Sequence, residues 1–406
     1  MTGTAMEMKA SVIIVAWRLI AELQECLDAL ALSEEVGPFE VIIVLNGAPP
    51  ATAKIAKSHH IVTRVIARNS NFGFGAACNV AASVATGANL IFLNDDTRVE
   101  RDWLSALIST SEQRPNAGAV ASLLINSDGS IQEAGSRVLS HGGTQQWGKG
   151  LSREEAENQG LLRPRVVDYG SAAALLIRRS LFVDLGGYDP LFEPAYYEDV
   201  DLQLRLRELG RSIWFEPAAR VVHHSGLSTR SDQWFRWFAA NRSGQRFIER
   251  WAEMLSTAPS PDSPLDYLGN VGSRMRPVVR TSVASVDIDD SDRMALAIAK
   301  DYAAWLAAQL DQATNDVKAL QQEAASLPGR DALVAEIAVL NERLQAQSAP
   351  TAAIDLKNII VSKRNVRRGR EGAKAQRTRS TENDLVLGEA MRATAERTKW
   401  RWKRSS

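Results

Sequence analysis

The chain has 406 residues, 45% of them hydrophobic and 24% charged, with a formal net charge of zero. That length exceeds what a single core fills, so two or three units are expected, and the composition is that of a globular protein. The zero hides an asymmetry: residues 357–406 hold 15 Lys/Arg against 5 Asp/Glu, and the rest of the chain carries the opposite surplus. Cys26 and Cys78 are the only cysteines, which excludes a disulfide framework and a cysteine metal site and fits a reducing compartment. No charged N-terminal region leads into an apolar core, and no stretch approaches the roughly 18 apolar residues of a membrane span, so neither a signal peptide nor a span is expected.

In chain order, Ser11–Val15 is a continuous apolar run, as in a strand buried on both faces. Leu23, Leu27 and Leu30 give residues 19–32 a helical period. Residues 39–44 and 61–67 predict two further strands, 79–85 a small-residue helix, and 88–93 a fourth strand that ends in acids. Alternating strands and helices with buried strands imply an α/β layer with a mostly parallel, Rossmann-like sheet, whose ligands bind beyond the strands' carboxyl ends. Residues 172–177 predict another strand, and residues 199–209 a helix stopped by Gly210. A helix rich in Trp, Phe and Arg, over 234–255, closes the first domain.

Pro, Ser and Asp accumulate over 256–290, which reads as a linker. From Leu296 to Leu327 apolar residues step by alternating threes and fours, a heptad seam; Pro328-Gly329 breaks it, and Leu333, Ile337, Leu340 and Leu344 resume it. Residues 291–348 are therefore expected to form a coiled coil or a helical hairpin, with self-association as the simplest consequence. Residues 349–406 form a basic tail, poor in large apolar groups apart from Trp400 and Trp402 near its end, and are expected to be largely disordered.

Three clusters carry chemistry. Asn94-Asp95-Asp96 follows the apolar strand Leu90–Leu93; in an extended chain Asn94 and Asp96 share one direction and Asp95 takes the other. Tyr196-Tyr197-Glu198-Asp199-Val200-Asp201 opens a helix, and His223-His224 follows the apolar pair Val221-Val222. Taken singly, each has an ordinary explanation: a solvated turn, helix capping, a structural histidine. Their order and strand-end positions favour a site with oxygen ligands for a divalent cation and a carboxylate base.

These stretches resemble the family 2 inverting glycosyltransferases of GT-A fold, in particular the rhamnosyltransferase-like branch. The resemblance runs over residues 8–255 and rests on Ser11–Val15, Asn71-Phe72-Gly73-Phe74-Gly75, Leu93–Asp96, Gly186-Gly187-Tyr188-Asp189, Tyr197–Leu202 and the segment from His223. It implies a metal, manganese or magnesium, bound at Asp96 with His223 nearby, and Asp199 as catalytic base with Glu198 as the second candidate. It puts Asn46, Gly73, Gly75, Asn79, Asn94 and Asp95 on the nucleotide-sugar side, and makes Arg236, Asn241 and Arg242 candidates for the acceptor side. It implies a nucleotide-diphosphate sugar as donor and a saccharide or lipid-linked acceptor, in surface polysaccharide or glycolipid assembly at the cytoplasmic face of the plasma membrane.

The sequence departs from that family at Ala16-Trp17-Arg18 and at Leu45-Asn46-Gly47, where an Asp is often found; both fall on the nucleotide pocket. An alternative is thus a degenerate transferase domain serving as a coiled-coil scaffold. A dinucleotide-binding oxidoreductase is excluded, because Cys78 replaces the third glycine and the glycine loop does not follow the first strand. For the basic tail, contact with an anionic membrane is preferred to nucleic acid, since aromatic residues accompany its charges.

Overall fold

A computed structural model describes residues 8–33, 37–224, 233–263 and 291–325. The first half alternates as expected: β1 (Ala10–Ala16), α1 (Ala21–Ala31), β2 (Phe39–Asn46), α2 (Pro50–Ser58), β3 (Arg64–Arg68), α3 (Phe74–Ala82) and β4 (Asn89–Asn94). Then come β5 (Thr97–Val99), α4 (Trp103–Gln113), β6 (Ala117–Ile125), β7 (Ile131–Glu133), β8 (Ser136–Val138), β9 (Thr144–Gln146), α5 (Arg153–Asn158), β10 (Arg165–Val167), β11 (Ala174–Arg178) and α6 (Arg179–Asp184). A short 3-10 turn, Pro190–Phe192, precedes α7 (Glu198–Glu208), β12 (Ser212–His223), α8 (Gln233–Arg250), α9 (Ala252–Ser256) and α10 (Ser291–Ala325).

The main sheet runs β10-β12-β6-β11-β4-β1-β2-β3, with β5 added to β12 and β7 to β6. Strands β3, β2, β1 and β4 are mutually parallel, while β11 runs antiparallel between β4 and β6. This mostly parallel sheet with a reversed strand is the α/β arrangement the sequence implies. Both faces are covered: Ile13, Ile42 and Phe92 pack with α3, α6 and α7, whereas Val12, Ile14 and Ile43 pack with α1 and α4. Two-faced burial explains why these strands read as unbroken apolar runs rather than alternating ones.

Helix α7 is a middle layer. Leu202 and Leu206 face the sheet, and Val200 and Leu204 face Phe247, Trp251 and Leu255 of α8 and α9. It stops as Gly210 predicts: Gly210 has φ 71°, its N–H donates to Arg207 O, and Arg211 N–H reaches Leu206 O, closing the carbonyls of the last turn.

Three boundaries differ from the sequence expectation. The small-residue helix starts at Phe74 rather than Asn79, because the glycine loop turns directly into it. The Trp-rich helix is two helices, interrupted at Trp251, whose buried ring donates to Asp201 Oδ1 at 3.1 Å. Helix α10 begins at Ser291, and its Tyr302 and Trp305 pack on Trp234, Phe235 and Phe238 of α8, so this part of the helix belongs with the sheet domain. The chain divides into two compact units, Met1–Asp311 and Gln312–Ser406. In the second, the described residues 312–325 are helical. The tail 349–406 and most of the linker 256–290 lie outside the described residues.

Candidate active site

The site forms where β4, β12 and the turn before β11 meet. After Asn94 the chain turns through Asp95-Asp96 into β5, which pairs antiparallel with the end of β12 and sets Thr97 opposite His223. His224 N–H donates to Asp96 O at 2.9 Å and closes the junction. Asp96 Oδ1 then lies 3.2 Å from His223 Nε2, and Asn94 Nδ2 is 3.4 Å from the same nitrogen. Asn94 and Asp96 therefore do share one direction. Asp95 takes the other: it is buried, its Oδ2 accepts from Trp17 N–H at 3.4 Å, and burial with the Asp96 charge pushes it up to about 8. Arg18 lies over the Trp17 ring at 3.8 Å, so the departure at the end of β1 sits directly against Asp95.

Asp96 Oδ1 is buried and accepts no hydrogen bond, for His223 Nε2 is close but off the line of one. Two ligand atoms at neighbouring corners of an octahedral cation, about 2.1 Å from it, sit about 3 Å apart. The orphaned oxygen, the neighbouring imidazole nitrogen and their spacing thus fit a hard divalent cation. No group of three His, Cys, Asp or Glu that could hold a metal ion gathers among the described residues, here or elsewhere. The protein offers Asp96 and His223, and water and donor phosphates would complete the shell.

The acid end is built by an unusual entry to α7. Tyr196 and Tyr197 both adopt left-handed backbone, φ 72° and 66°, which turns the chain abruptly into the helix. Such residues cost roughly 1–3 kcal/mol each and persist where the surroundings hold them. Tyr197 stacks on Phe247 of α8 at 4.8 Å. The turn leaves Glu198 and Asp199 partly buried in the first turn of α7. Asp199 Oδ2 accepts from Ala172 N–H at 3.1 Å and Oδ1 from Val200 N–H at 2.8 Å. Glu198 Oε2 is buried without a partner. Burial raises both carboxyls above the ordinary range, and the Asp199 charge adds to the rise at Glu198.

Residues 171–173 tie the two ends together. Ala172 donates to Asp199, Ala173 O accepts from Asn94 N–H at 2.9 Å, and Ser171 N–H donates to Glu133 Oε1 at 2.8 Å. Glu133 is itself buried on β7 and pushed up to about 7. Its neighbour Gln132 meets His223 Nδ1 at 2.8 Å. Asp96, His223 and Asp199, far apart in sequence, are thereby joined in one ring of contacts.

The glycine loop lies beside this ring. The Asn46 amide donates to Asn71 Oδ1 at 2.8 Å and Gly73 O at 2.9 Å, and its oxygen accepts from Phe72 N–H at 3.0 Å. In this structure the Asn46 side chain is spent on shaping the loop. Asn79 holds the Tyr188 backbone by both its N–H and its C=O. Gly73 and Gly75 do permit a close approach, and in this chain the group that approaches is Glu193: a Cβ on Gly73 would lie 1.7 Å from Glu193 Oε2. Glu193 Oε1 accepts from Ala76 N–H at 2.7 Å, at the start of α3. Of the acceptor-side candidates, Arg242 reaches Glu193 O and pairs with Asp301 at 3.1 Å, while Arg236 and Asn241 are exposed.

Sequence reasoning missed Gln132, Glu133, Glu193 and Gln203. The last pairs with both backbone groups of Gly170 and so fixes the 171–173 turn. A visible signal was the polar pair Gln132-Glu133 set between Ile131 and Ala134.

Residues 11–186 match the model described as "Glycosyl transferase family 2". The chain carries a family 2 glycosyltransferase domain. This transferase is similar to the N-acetylglucosaminyl-diphospho-decaprenol L-rhamnosyltransferase of Mycobacterium tuberculosis, with 29% identity over 260 residues, 58% of this chain and 83% of that protein. It is 28% identical over 191 residues to rhamnosyltransferase WbbL of Escherichia coli, covering 44% of this chain and 71% of that one. It is 30% identical over 218 residues to the O-antigen biosynthesis protein RfbC of Myxococcus xanthus, covering 52% of this chain but 17% of the relative. Among solved structures, GalNAc-T7 with UDP, GalNAc and Mn2+ aligns over 62% of this chain and 49% of its own, at 16% identity and a TM-score of 0.48. The transferase is thus a sugar-transferring enzyme with rhamnosyltransferases among its relatives.

Proposed function

We propose that this enzyme moves a deoxyhexose of the L-rhamnose type from a nucleoside diphosphate to a hydroxyl of a lipid-linked saccharide, with inversion, in polysaccharide or glycolipid assembly. The observation that carries it is the ring joining Asp96 and His223 to Asp199 through residues 171–173. It sets a leaving-group end and a base end on one rigid frame. The sugar and acceptor are suggested by the rhamnosyltransferase relatives.

Asp199 in its carboxylate form takes the proton of the acceptor hydroxyl, and that oxygen attacks the anomeric carbon as the bond to the diphosphate breaks on the opposite face. Two backbone donors hold its carboxylate in place, and burial raises its basicity. Glu198 beside it, whose carboxyl burial holds well above its ordinary value, is the second candidate for the base. A divalent cation, when bound at Asp96 and His223, would neutralise charge building on the diphosphate. Asn94, Asp95 and the loop shaped by Asn46, Gly73, Gly75 and Asn79 border the donor side.

With acceptors of this kind, the proposed place of work is the inner face of the plasma membrane. No described helix is long and apolar enough to cross a membrane. The proposed membrane contact is made by the basic charges and aromatic residues of the tail; nucleic acid is not assigned as a partner. In α10 the seam residues Leu310 and Ala313 are exposed, and we assign them to pairing with a second copy.

The test is a panel of nucleotide sugars with manganese or magnesium and a lipid-linked saccharide, following nucleoside diphosphate release and the product's anomeric configuration. Turnover of one donor, lost with chelator, Asp96→Ala and Asp199→Asn, supports the reading. Retention of configuration would refute the single displacement. If no donor turns over or binds, the departures at Arg18 and Leu45 are disabling, and a scaffold takes its place.

A further inference from the structure

We infer that Gln132 is a positioning residue that fixes the tautomer of His223, keeping the Nε2 lone pair turned towards Asp96. The inference rests on the proposed cation role of Asp96 and His223, and it adds a residue to which neither sequence nor family resemblance assigns a task.

The backbone puts Gln132 there. On β7, Glu133 pairs with Leu124 and Ile131 with Ile125, so Gln132 is an extra residue without a partner on β6. A bulge of this kind re-aims a side chain out of the regular alternation. On the far edge of β6, Val222 pairs with Ile125, so His223 emerges from β12 level with the bulge. The re-aimed amide reaches across, and Gln132 Oε1 lies 2.8 Å from His223 Nδ1.

The chemistry follows from which atoms face each other. An amide oxygen only accepts, so Nδ1 must carry the hydrogen. In a neutral imidazole Nε2 is then bare. Asn94 Nδ2, a donor 3.4 Å away, faces that bare nitrogen, while Asp96 Oδ1 at 3.2 Å lies off the line of a hydrogen bond to it. The opposite tautomer would aim an N–H at this acid end and could not ligate a cation. Partners that orient a metal-ligating histidine in this way contribute roughly 10–100-fold to metal affinity.

Nitrogen-15 NMR of the histidine rings in the metal-free protein tests the tautomer, and manganese titration followed by electron paramagnetic resonance, with UDP or dTDP present, tests its consequence. The Nδ1–H form is expected for His223 in the wild type. Gln132→Leu should mix the tautomers and weaken manganese binding roughly 10–100-fold. Gln132→Glu, which still accepts from Nδ1–H, should retain both, separating this role from mere packing. An Nε2–H signal in the wild type, or unchanged manganese affinity in folded Gln132→Leu, overturns the inference and leaves the cation site standing. A wild type that binds no manganese overturns the cation reading and this inference with it.

Discussion

Asp199 and Asp201 stand two residues apart on α7 and face opposite ways. A helix turns about 100° per residue, so two steps reverse direction. Asp199 faces the cleft, partly buried and held by the Ala172 and Val200 amides. Asp201 faces inwards, where Arg205 donates at 2.8 Å, Arg250 at 2.9 Å and the Trp251 indole at 3.1 Å. Arg250 also reaches Asp189 at 2.8 Å, and Arg205 holds Leu185 O and Gly187 O, so one buried network ties α7 and α8 to the Gly186-Gly187 turn.

Opposite outcomes follow for two similar substitutions. Asp201→Ala leaves two guanidinium groups without their shared carboxylate and should cost about 3–5 kcal/mol of stability. Asp199→Asn should fold normally and lose turnover by roughly 10²–10⁴-fold. Denaturant unfolding and donor turnover, measured on both, separate the roles; a destabilised Asp199→Asn with full activity would refute them. Because burial raises the Asp199 carboxyl, wild-type turnover should climb with pH along an acid limb displaced above the ordinary carboxylate range.

Glu193 carries a pH signature of its own. Burial pushes its carboxyl from 4.5 up to about 8, against the opposing pull of the Ala76 N–H bond. The folded state holds this proton more tightly than the unfolded chain does. Its stability contribution is therefore full below the unfolded value and lost as pH rises through about 8. Glu193→Gln keeps an acceptor for Ala76 and removes the titration. Its stability advantage over wild type should be near zero at about pH 5 and grow towards about pH 9, at about 1.4 kcal/mol per tenfold change in proton affinity. Thermal unfolding across that range checks it; an advantage that does not vary with pH would contradict the assignment.

The sheet's first half was legible because each strand is buried on both faces and so reads as a bare apolar run. The acids after β4 and at the start of α7 were legible because strand and helix ends announce themselves. What stayed hidden depends on pairing. Nothing in Ser130–Gly135 reveals a bulge, since a bulge is a property of two strands and not of one. The closeness of Gly73 to Glu193 was equally invisible, for the glycines signal a near approach but not by what. Helix α10 shows a third limit: its heptad pattern was read from Leu and Ala, while its contact with α8 is made by Tyr302 and Trp305 on an adjoining stripe.

That contact predicts a specific fragility. Tyr302 lies 5.4 Å from Phe235 and 5.0 Å from Phe238, Trp305 lies 5.8 Å from Trp234, and Asp301 pairs with Arg242 and Arg246. Aromatic pairs contribute roughly 0.5–1.5 kcal/mol each beyond their area. Replacing Tyr302 and Trp305 together by Ala should release the start of α10, read as faster protease cleavage between residues 291 and 310, with the sheet domain's own unfolding midpoint unchanged. Equal cleavage rates would show that the stripe does not hold the helix.

Gln203 offers the sharpest test of a residue acting at a distance from substrate. Its amide oxygen accepts from Gly170 N–H at 2.8 Å and its nitrogen donates to Gly170 O at 2.6 Å, with the whole side chain buried. Gln203→Leu fills the same space but leaves both backbone groups unmet, each costing about 1–3 kcal/mol. Because the next two residues supply the amides that hold Glu133 and Asp199, the loss should also appear in turnover, with donor binding spared. Gln203→Glu, as a carboxylate, can still accept from Gly170 N–H but cannot donate back, so it should fall between the two in both measurements. A Gln203→Leu enzyme that is destabilised yet turns over at the wild-type rate would show that the turn keeps its shape without the clamp, and that Asp199 is positioned by α7 alone.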